Sequence, residues 1–338
     1  MERKPLSGAR IAAIGASLVC TGTAFGGTAP DDDIDWKVIG SPGNPAFAAP
    51  SGFFQERGSV PYEYRLATTE ITVSQWYEFV VAYSSVIGNA ATSISVTGSF
   101  IVGYDSPDGH PTFEYAPAAT NVPTNLSWRM AARYCNWLTN DKTITADAFE
   151  RGAYDTSTFG YGPNGELLDQ ATHSPGAKYW IPTLDEWIKG AHYDPTRGGD
   201  DPVSAWRNYP YGLDRAPIPG DPLLGGETNA GLFGLVEPEF DFSSGRYADQ
   251  SSPWGLLDIS GGMTEWTEEK VLIWRVVKGS GFFSSPSSTV FEDNIRDRNL
   301  ASPDSISLYG LRIASAVPAP SSSVIVLGIV FLKLRRSR

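Results

Sequence analysis

Residues 252–266 read Ser252-Pro-Trp-Gly-Leu-Leu-Asp258-Ile-Ser-Gly261-Gly-Met263-Thr-Glu265-Trp266. Three glycines, two acids and two tryptophans share these fifteen residues, the composition of a tight loop anchored at both ends by aromatic rings. Glycine lets the backbone adopt positive φ and turn its carbonyls inward. Asp258 and Glu265 then offer charged oxygens with carbonyls between them, the donor set of a hard cation such as Ca²⁺, which takes about six to eight oxygens. The spacing is not that of the helix-loop-helix calcium motif. The same acids at a glycine turn read equally as caps on backbone N–H groups, and the residues leave both readings open.

Around this stretch, the 338-residue chain carries 35 glycines, 25 prolines and 12% aromatics, which favours short strands and long loops over a helix bundle. Its net charge of −12 argues against nucleic acid and against docking on anionic lipid. The N-terminus runs from Arg3, Lys4 and Arg10 through the apolar stretch Ile11–Val19 to small residues near Gly27, the order of a secretory signal peptide over 1–26. At the other end, Pro318-Ala-Pro320, the apolar run Val324–Leu332 and a basic finish form a tail over 317–338. The apolar run is far shorter than the roughly twenty residues of a spanning helix, and the basic residues after it would stay cytoplasmic. Cys20 falls in the leader, so Cys135 would be the one thiol of the exported body and no internal disulfide can form.

Between the ends, the residues place several elements. Trp36–Gly40 and Tyr62–Leu66 read as strands. Thr72 and Gln75 have capping-box spacing, and Trp76, Phe79, Val80 and Tyr83 make the apolar face of the helix behind them. Residues 84–119 show no helical period and read as loop or irregular strand, with His110 on the surface. Ser127 caps a second helix, with Ala131, Tyr134, Cys135 and Leu138 on one face. That cap also explains the glycosylation-like Asn125-Leu-Ser127 without a sugar. Residues 143–178 form a glycine-rich insertion. Thr183 and Glu186 open a third helix, where Asp185 and Glu186 read as acids favoured by the helix dipole.

These segments together resemble the formylglycine-generating enzyme (sulfatase-modifying factor) family. Gly255-Leu-Leu-Asp258, Gly261 and Glu265-Trp266 resemble its GLYDMxGNVWEW signature, with Gly262 where the family has Asn. Tyr64–Val80 is similar to its YRIxxxEVTxxQYxxF opening, 125–138 to its VSWYDAxxFxNWL block and Tyr179–Ala191 to its LPTEAEWEKAA motif. Trp274–Phe282 and Gly310–Ala314 match the VLRGGSW and GFRVA strands. The resemblance implies an α+β domain over 33–316 with the C-type-lectin-like formylglycine-generating-enzyme fold, loop-rich, with a twisted antiparallel sheet and two to three helices. The tail resembles that of bacterial exosortase substrates, Ala319 standing for the glutamate of their Pro-Glu-Pro. It implies exosortase-type sorting machinery as a partner and at least transient membrane anchoring.

The resemblance also implies sites. One calcium site would use the side chains of Asp258 and Glu265 and the carbonyls of Gly261 and Met263. Another would use Asn229, with Asp241 as a candidate partner. In the oxidase branch, a copper-binding cysteine pair precedes the final strand, and counting back from Gly310 puts those positions at Val290 and Ile295. Neither can bind Cu(I), a soft cation that wants thiolates. The expectation is an exported, calcium-stabilised binding or structural module with an envelope or matrix ligand. The alternative is a sulfatase-maturation oxidase with relocated catalytic groups. Carbohydrate recognition would rest on the fold alone.

Overall fold

Short strands and capped helices alternate through residues 31–318, apart from 32, 50–51, 198–201 and 238–239, the part of the chain described by a computed structural model. The expected leader and nearly all of the expected tail lie outside the described residues. In chain order the strands are β1 (Trp36–Ile39), β2 (Phe47–Ala48), β3 (Gln55–Arg57), β4 (Tyr64–Ala67), β5 (Ile101–Tyr104), β6 (Thr112–Tyr115), β7 (Tyr179–Trp180), β8 (Thr264–Val271), β9 (Trp274–Lys278), β10 (Asn299–Ala301), β11 (Tyr309–Gly310) and β12 (Ala314–Ala316). The α-helices are α1 (Val73–Ile87), α2 (Ile94–Thr97), α3 (Trp128–Thr139), α4 (Ala146–Glu150), α5 (Leu184–His192) and α6 (Thr289–Glu292). The architecture is α+β, as the sequence implies.

Capping residues set where the helices begin. At α1 the Gln75 N–H donates to Thr72 Oγ1 while the Thr72 N–H donates to Gln75 Oε1. At α5 the same reciprocal pair forms between Thr183 and Glu186. Each box satisfies donors that a helix start otherwise leaves without partners. At α3 Ser127 Oγ accepts the Met130 N–H. Asn125 is buried and its amide donates to Ser99 Oγ and the Ile306 carbonyl, so a structural role accounts for the sequon.

Tryptophans tie the helices to the sheets. The aromatic faces of α1 and α3 interlock through Trp76, Phe79, Tyr134 and Trp137, with Phe149 of α4 behind them. Trp128 at the start of α3 donates to the Thr267 carbonyl of β8, and Trp266 of β8 donates back to the Leu126 carbonyl. Both indoles are fully buried, and a buried indole N–H needs such a partner. Helix α5 lies close against β4 because Gly190 has no side chain. A Cβ there would come within 2.6 Å of Leu66 Cδ1 and 3.0 Å of Leu256 Cδ1.

Two four-stranded sheets meet at the site. The first runs β1-β4-β12-β7 and is antiparallel throughout; the second runs β10-β9-β8-β11, with β11 parallel to β8. The sequence places one closing strand over Gly310–Ala314. The structure divides it: Gly310 pairs with Glu265 in the second sheet, and Ala314 pairs with Leu66 and Trp180 in the first. Leu311, Arg312 and Ile313, all fully buried, carry the chain across. Residues 84–119, read from sequence as loop or irregular strand, contain α2 and the β5–β6 hairpin.

Candidate functional site

The glycine loop of residues 252–263 packs where the two sheets meet, and β8 begins directly after it. Backbone bonds hold it on both sides: the Leu257 N–H donates to the Thr68 carbonyl, the Gly261 N–H to the Ser280 carbonyl, and the Phe282 N–H to the Gly262 carbonyl. Asp258 sits at φ 55, a left-handed conformation that short acids tolerate better than other side chains. Its Oδ2 accepts the Gly245 N–H at 2.6 Å, which is the capping role open in the sequence reading.

Glu265 lies one residue into β8 and is 1% exposed. Its carboxylate accepts the indole N–H of Trp187 at 2.7 Å and is bound by Arg312, whose Nη2 is 2.7 Å from Oε1. Arg312 is fully buried, and its remaining donors reach the carbonyls of Ala67, Thr68 and Leu257 at 2.7–2.8 Å. One guanidinium therefore joins β4, the glycine loop and β8. Such complete use of a rigid fork of donors is what arginine supplies and lysine cannot.

Two further side chains grip the loop. Glu70 Oε1 accepts the Met263 N–H at 2.7 Å, and Asn229 Oδ1 accepts the Gly262 N–H at 2.8 Å. Glycine is required at 262: φ is +61°, and a Cβ would lie 1.8 Å from Glu70 Oε2. That Oε2 is buried with no hydrogen-bond partner. Glu70, Asp258 and Glu265 thus set three buried carboxyl groups around a loop served by a single guanidinium, which bonds Glu265 alone of the three. The pKa directions follow from that imbalance. Burial pushes the Glu70 carboxyl well above the ordinary range, and Glu265 and Asp258 add to the push while Arg312 opposes it. Burial likewise raises Asp258 to about 6. Asp293, beneath the loop with Oδ2 accepting Ser260 Oγ and Oδ1 accepting the Ser280 N–H, is also raised by burial to about 6.

The donor set is one a hard cation accepts: carboxylate, amide and carbonyl oxygens. Surplus negative charge and an orphaned carboxylate oxygen fit such an ion. The three carboxylates fringe the loop rather than converge, and among the described residues no three His, Cys, Asp or Glu side chains form a metal-binding group. An ion here would therefore draw on backbone carbonyls, on Asn229 and on Asp258, and would share Glu265 with Arg312.

The structure brings Asp258, Gly261, Met263, Glu265 and Asn229 to one loop, whereas the sequence reading assigns Asn229 to a separate site. Asp241 turns elsewhere, accepting the Ser243 N–H and an Arg246 donor. Glu70, Trp187 and Arg312 are not among the sequence-derived site residues. Each belongs to a motif the sequence displays: the Glu-Ile-Thr of the opening block, the Glu-Trp of α5 and the Gly-Leu-Arg of the closing segment. The paired positions counted from the sequence differ in setting, Val290 half-exposed and Ile295 fully buried. Cys135 lies inside α3 with no exposed surface, and burial holds its thiol well above the usual range.

Comparison with known proteins agrees with this architecture. Residues 54–317 match the family described as the sulfatase-modifying factor enzyme 1-like domain. Two solved structures share the fold at 17% identity. "Crystal Structure of CarF" aligns with a TM-score of 0.51 over 84% of this chain and 99% of its own. "Treponema denticola variable protein 1" aligns with a TM-score of 0.50 over 83% and 95%. No curated protein matches the sequence. With most of the chain inside the family match, and with the loop, β8 and closing segment assembled as described, this chain belongs to the sulfatase-modifying factor enzyme 1-like domain family.

Proposed function

We propose that the protein is a non-oxidative member of its family, an exported binding or structural module of the cell envelope stabilised by calcium at the 258–265 loop. The observation that carries this reading is the state of Cys135. The chain has two cysteines, one in the leader-like segment and Cys135 within the domain. Cys135 is buried with a raised thiol pKa, the setting of an inert core residue rather than of a nucleophile or soft-metal ligand. The domain therefore offers no pair of thiolates for copper chemistry. Export and sorting rest on the leader-like and tail-like sequences.

The calcium reading rests on the surplus of buried carboxylates around Arg312 and on the orphaned Glu70 oxygen. Cation binding would relieve a buried charge imbalance that is otherwise costly. The functional reading is tested by incubating the purified protein with copper, oxygen and a Cys-x-Pro-x-Arg peptide beside an active oxidase. Mass spectrometry should show the peptide unchanged. Conversion of its cysteine to formylglycine would establish the competing reading, an oxidase whose catalytic groups have moved.

A further inference from the structure

Among the described residues most arginines face a carboxylate. Arg57, Arg65, Arg129, Arg133, Arg215 and Arg246 each reach at least one carboxylate within 3.3 Å. Arg296 and Arg298, on the segment leading into β10, do not. Among the described residues neither side chain makes an ion pair or a hydrogen bond; each lies over a phenylalanine instead. The Arg298 guanidinium carbon is 3.5 Å from the centre of the Phe53 ring, and that of Arg296 is 5.3 Å from the centre of Phe47. Stacking of this kind fixes the plane of a guanidinium and leaves its edge donors free.

Both arginines line one cavity of 360 Å³, together with Ala49, Phe53, Phe54 and Asp297. Phe53 and Phe54 meet edge to face, with ring centres 5.2 Å apart, and give the cavity an aromatic wall. Arg298 Nη1 is buried without a partner. Nε of Arg207, Arg246 and Arg275 is orphaned in the same way, but each of those guanidinium groups bonds a carbonyl or carboxylate through its other nitrogens, whereas among the described residues that of Arg298 has no such partner. A buried charged donor without an acceptor is destabilising, and its persistence beside a second unpaired guanidinium marks a place built for an acceptor that arrives from outside. Asp297 also lines the cavity, so its lining carries two positive charges against one negative.

We propose that this cavity binds an oxyanion, either carboxylate, sulfate or phosphate, carried on a small aromatic or apolar body. Arg296 and Arg298 hold the charged group, whose planar or tetrahedral oxygens match the guanidinium fork. Phe53, Phe54 and Ala49 pack the body. The cavity shares no lining residue with the loop that holds Asp258 and Glu265, and the assignment does not depend on calcium.

The test is calorimetric titration of the full protein with phenylacetate, phenyl sulfate and phenyl phosphate, with benzyl alcohol and inorganic sulfate as comparison probes. At least one aryl oxyanion should bind saturably, more tightly than either comparison probe, and binding should weaken as salt is added. Whichever of the three binds best identifies the oxyanion. Arg298→Ala should weaken that binding about tenfold or more, the usual effect of losing a charge-assisted hydrogen bond. Arg298→Lys, which keeps the charge but not the fork, should fall between. Arg296→Ala, at an exposed position, is the variant whose folding is not at issue, and it should weaken binding with an unchanged circular dichroism spectrum. Arg207→Ala should leave binding unaltered, since that guanidinium does not line the cavity and donates to the Ser204 and Trp206 carbonyls. Absence of saturable binding by all three aryl oxyanions, or binding unchanged in both Arg296→Ala and Arg298→Ala, would overturn the proposal.

Discussion

Replacing Arg312 with Met keeps an unbranched apolar stem and removes the charge and all the donors. The structure says what is then left behind. Glu265 loses three contacts of 2.7–3.1 Å, and the carbonyls of Ala67 and Leu257 lose the Arg312 donor, while that of Thr68 keeps the Leu257 N–H. Breaking a buried pair by removing one partner costs about 3–5 kcal/mol, and a buried acceptor left without a donor costs roughly 1–3 kcal/mol. These terms overlap, so a total of about 5–7 kcal/mol is the reasonable sum, against a stability of about 5–15 kcal/mol for an ordinary domain. Glu265→Gln should behave differently. The amide keeps one oxygen for Trp187 but turns an NH2 toward Arg312, itself a donor, so the loss should be about 3–5 kcal/mol, still short of the Arg312→Met total. Urea unfolding followed by tryptophan fluorescence reads both, since Trp187 and Trp266 lie beside the pair. An Arg312→Met protein within about 1 kcal/mol of wild type, or one more stable than Glu265→Gln, would refute the surplus-carboxylate argument.

Other consequences are open to measurement. Gly262→Ala places a Cβ at φ +61°, 1.8 Å from Glu70 Oε2, and should cost roughly 3 kcal/mol in urea unfolding; no loss would contradict the placement of Glu70. Asp258 and Asp293 have folded-state pKa values raised from 3.8 to about 6, so their folded forms hold protons that the unfolded chain has released. Without a cation, their contribution to stability should be full below about pH 4 and lost as pH rises through about 6, by at most roughly 3 kcal/mol per group. Thermal unfolding across that range should show the fall, and Asp293→Asn should reduce it. Cys135 should resist alkylation in the native protein and label only on unfolding, as read by peptide mass mapping; rapid native labelling would remove the argument from its burial.

The parts of the fold legible in the sequence are those fixed by local chemistry. Thr72 with Gln75 and Thr183 with Glu186 announce their helices because a capping box is a bond between residues three apart. The buried faces of α1 and α3 follow from spacing alone. The split of the closing segment into β11 and β12 was not legible, since nothing local distinguishes one strand from two that serve different sheets. The hairpin β5–β6 was hidden for a similar reason: its alternation is weak, with Val102 and Tyr104 exposed. At the site, the sequence showed Asp258, Gly261 and Glu265 as one cluster but could not show what meets it. Glu70 lies 193 residues from Met263 and Arg312 lies 47 from Glu265, and only the folded chain makes them neighbours. The Arg296–Arg298 cavity was invisible for the same reason, because its aromatic wall comes from residues near 53.

On the reading proposed above, the loop around Asp258 and Glu265 carries more buried negative charge than Arg312 balances, and calcium supplies the remainder. Thermal unfolding at neutral pH, with added Ca²⁺ and with a chelator, tests it most directly. A ligand at about a hundred times its Kd adds about 2.7 kcal/mol, so the midpoint should rise clearly with Ca²⁺, and the rise should vanish in Asp258→Asn. A midpoint that is the same with calcium and with chelator would contradict the claim.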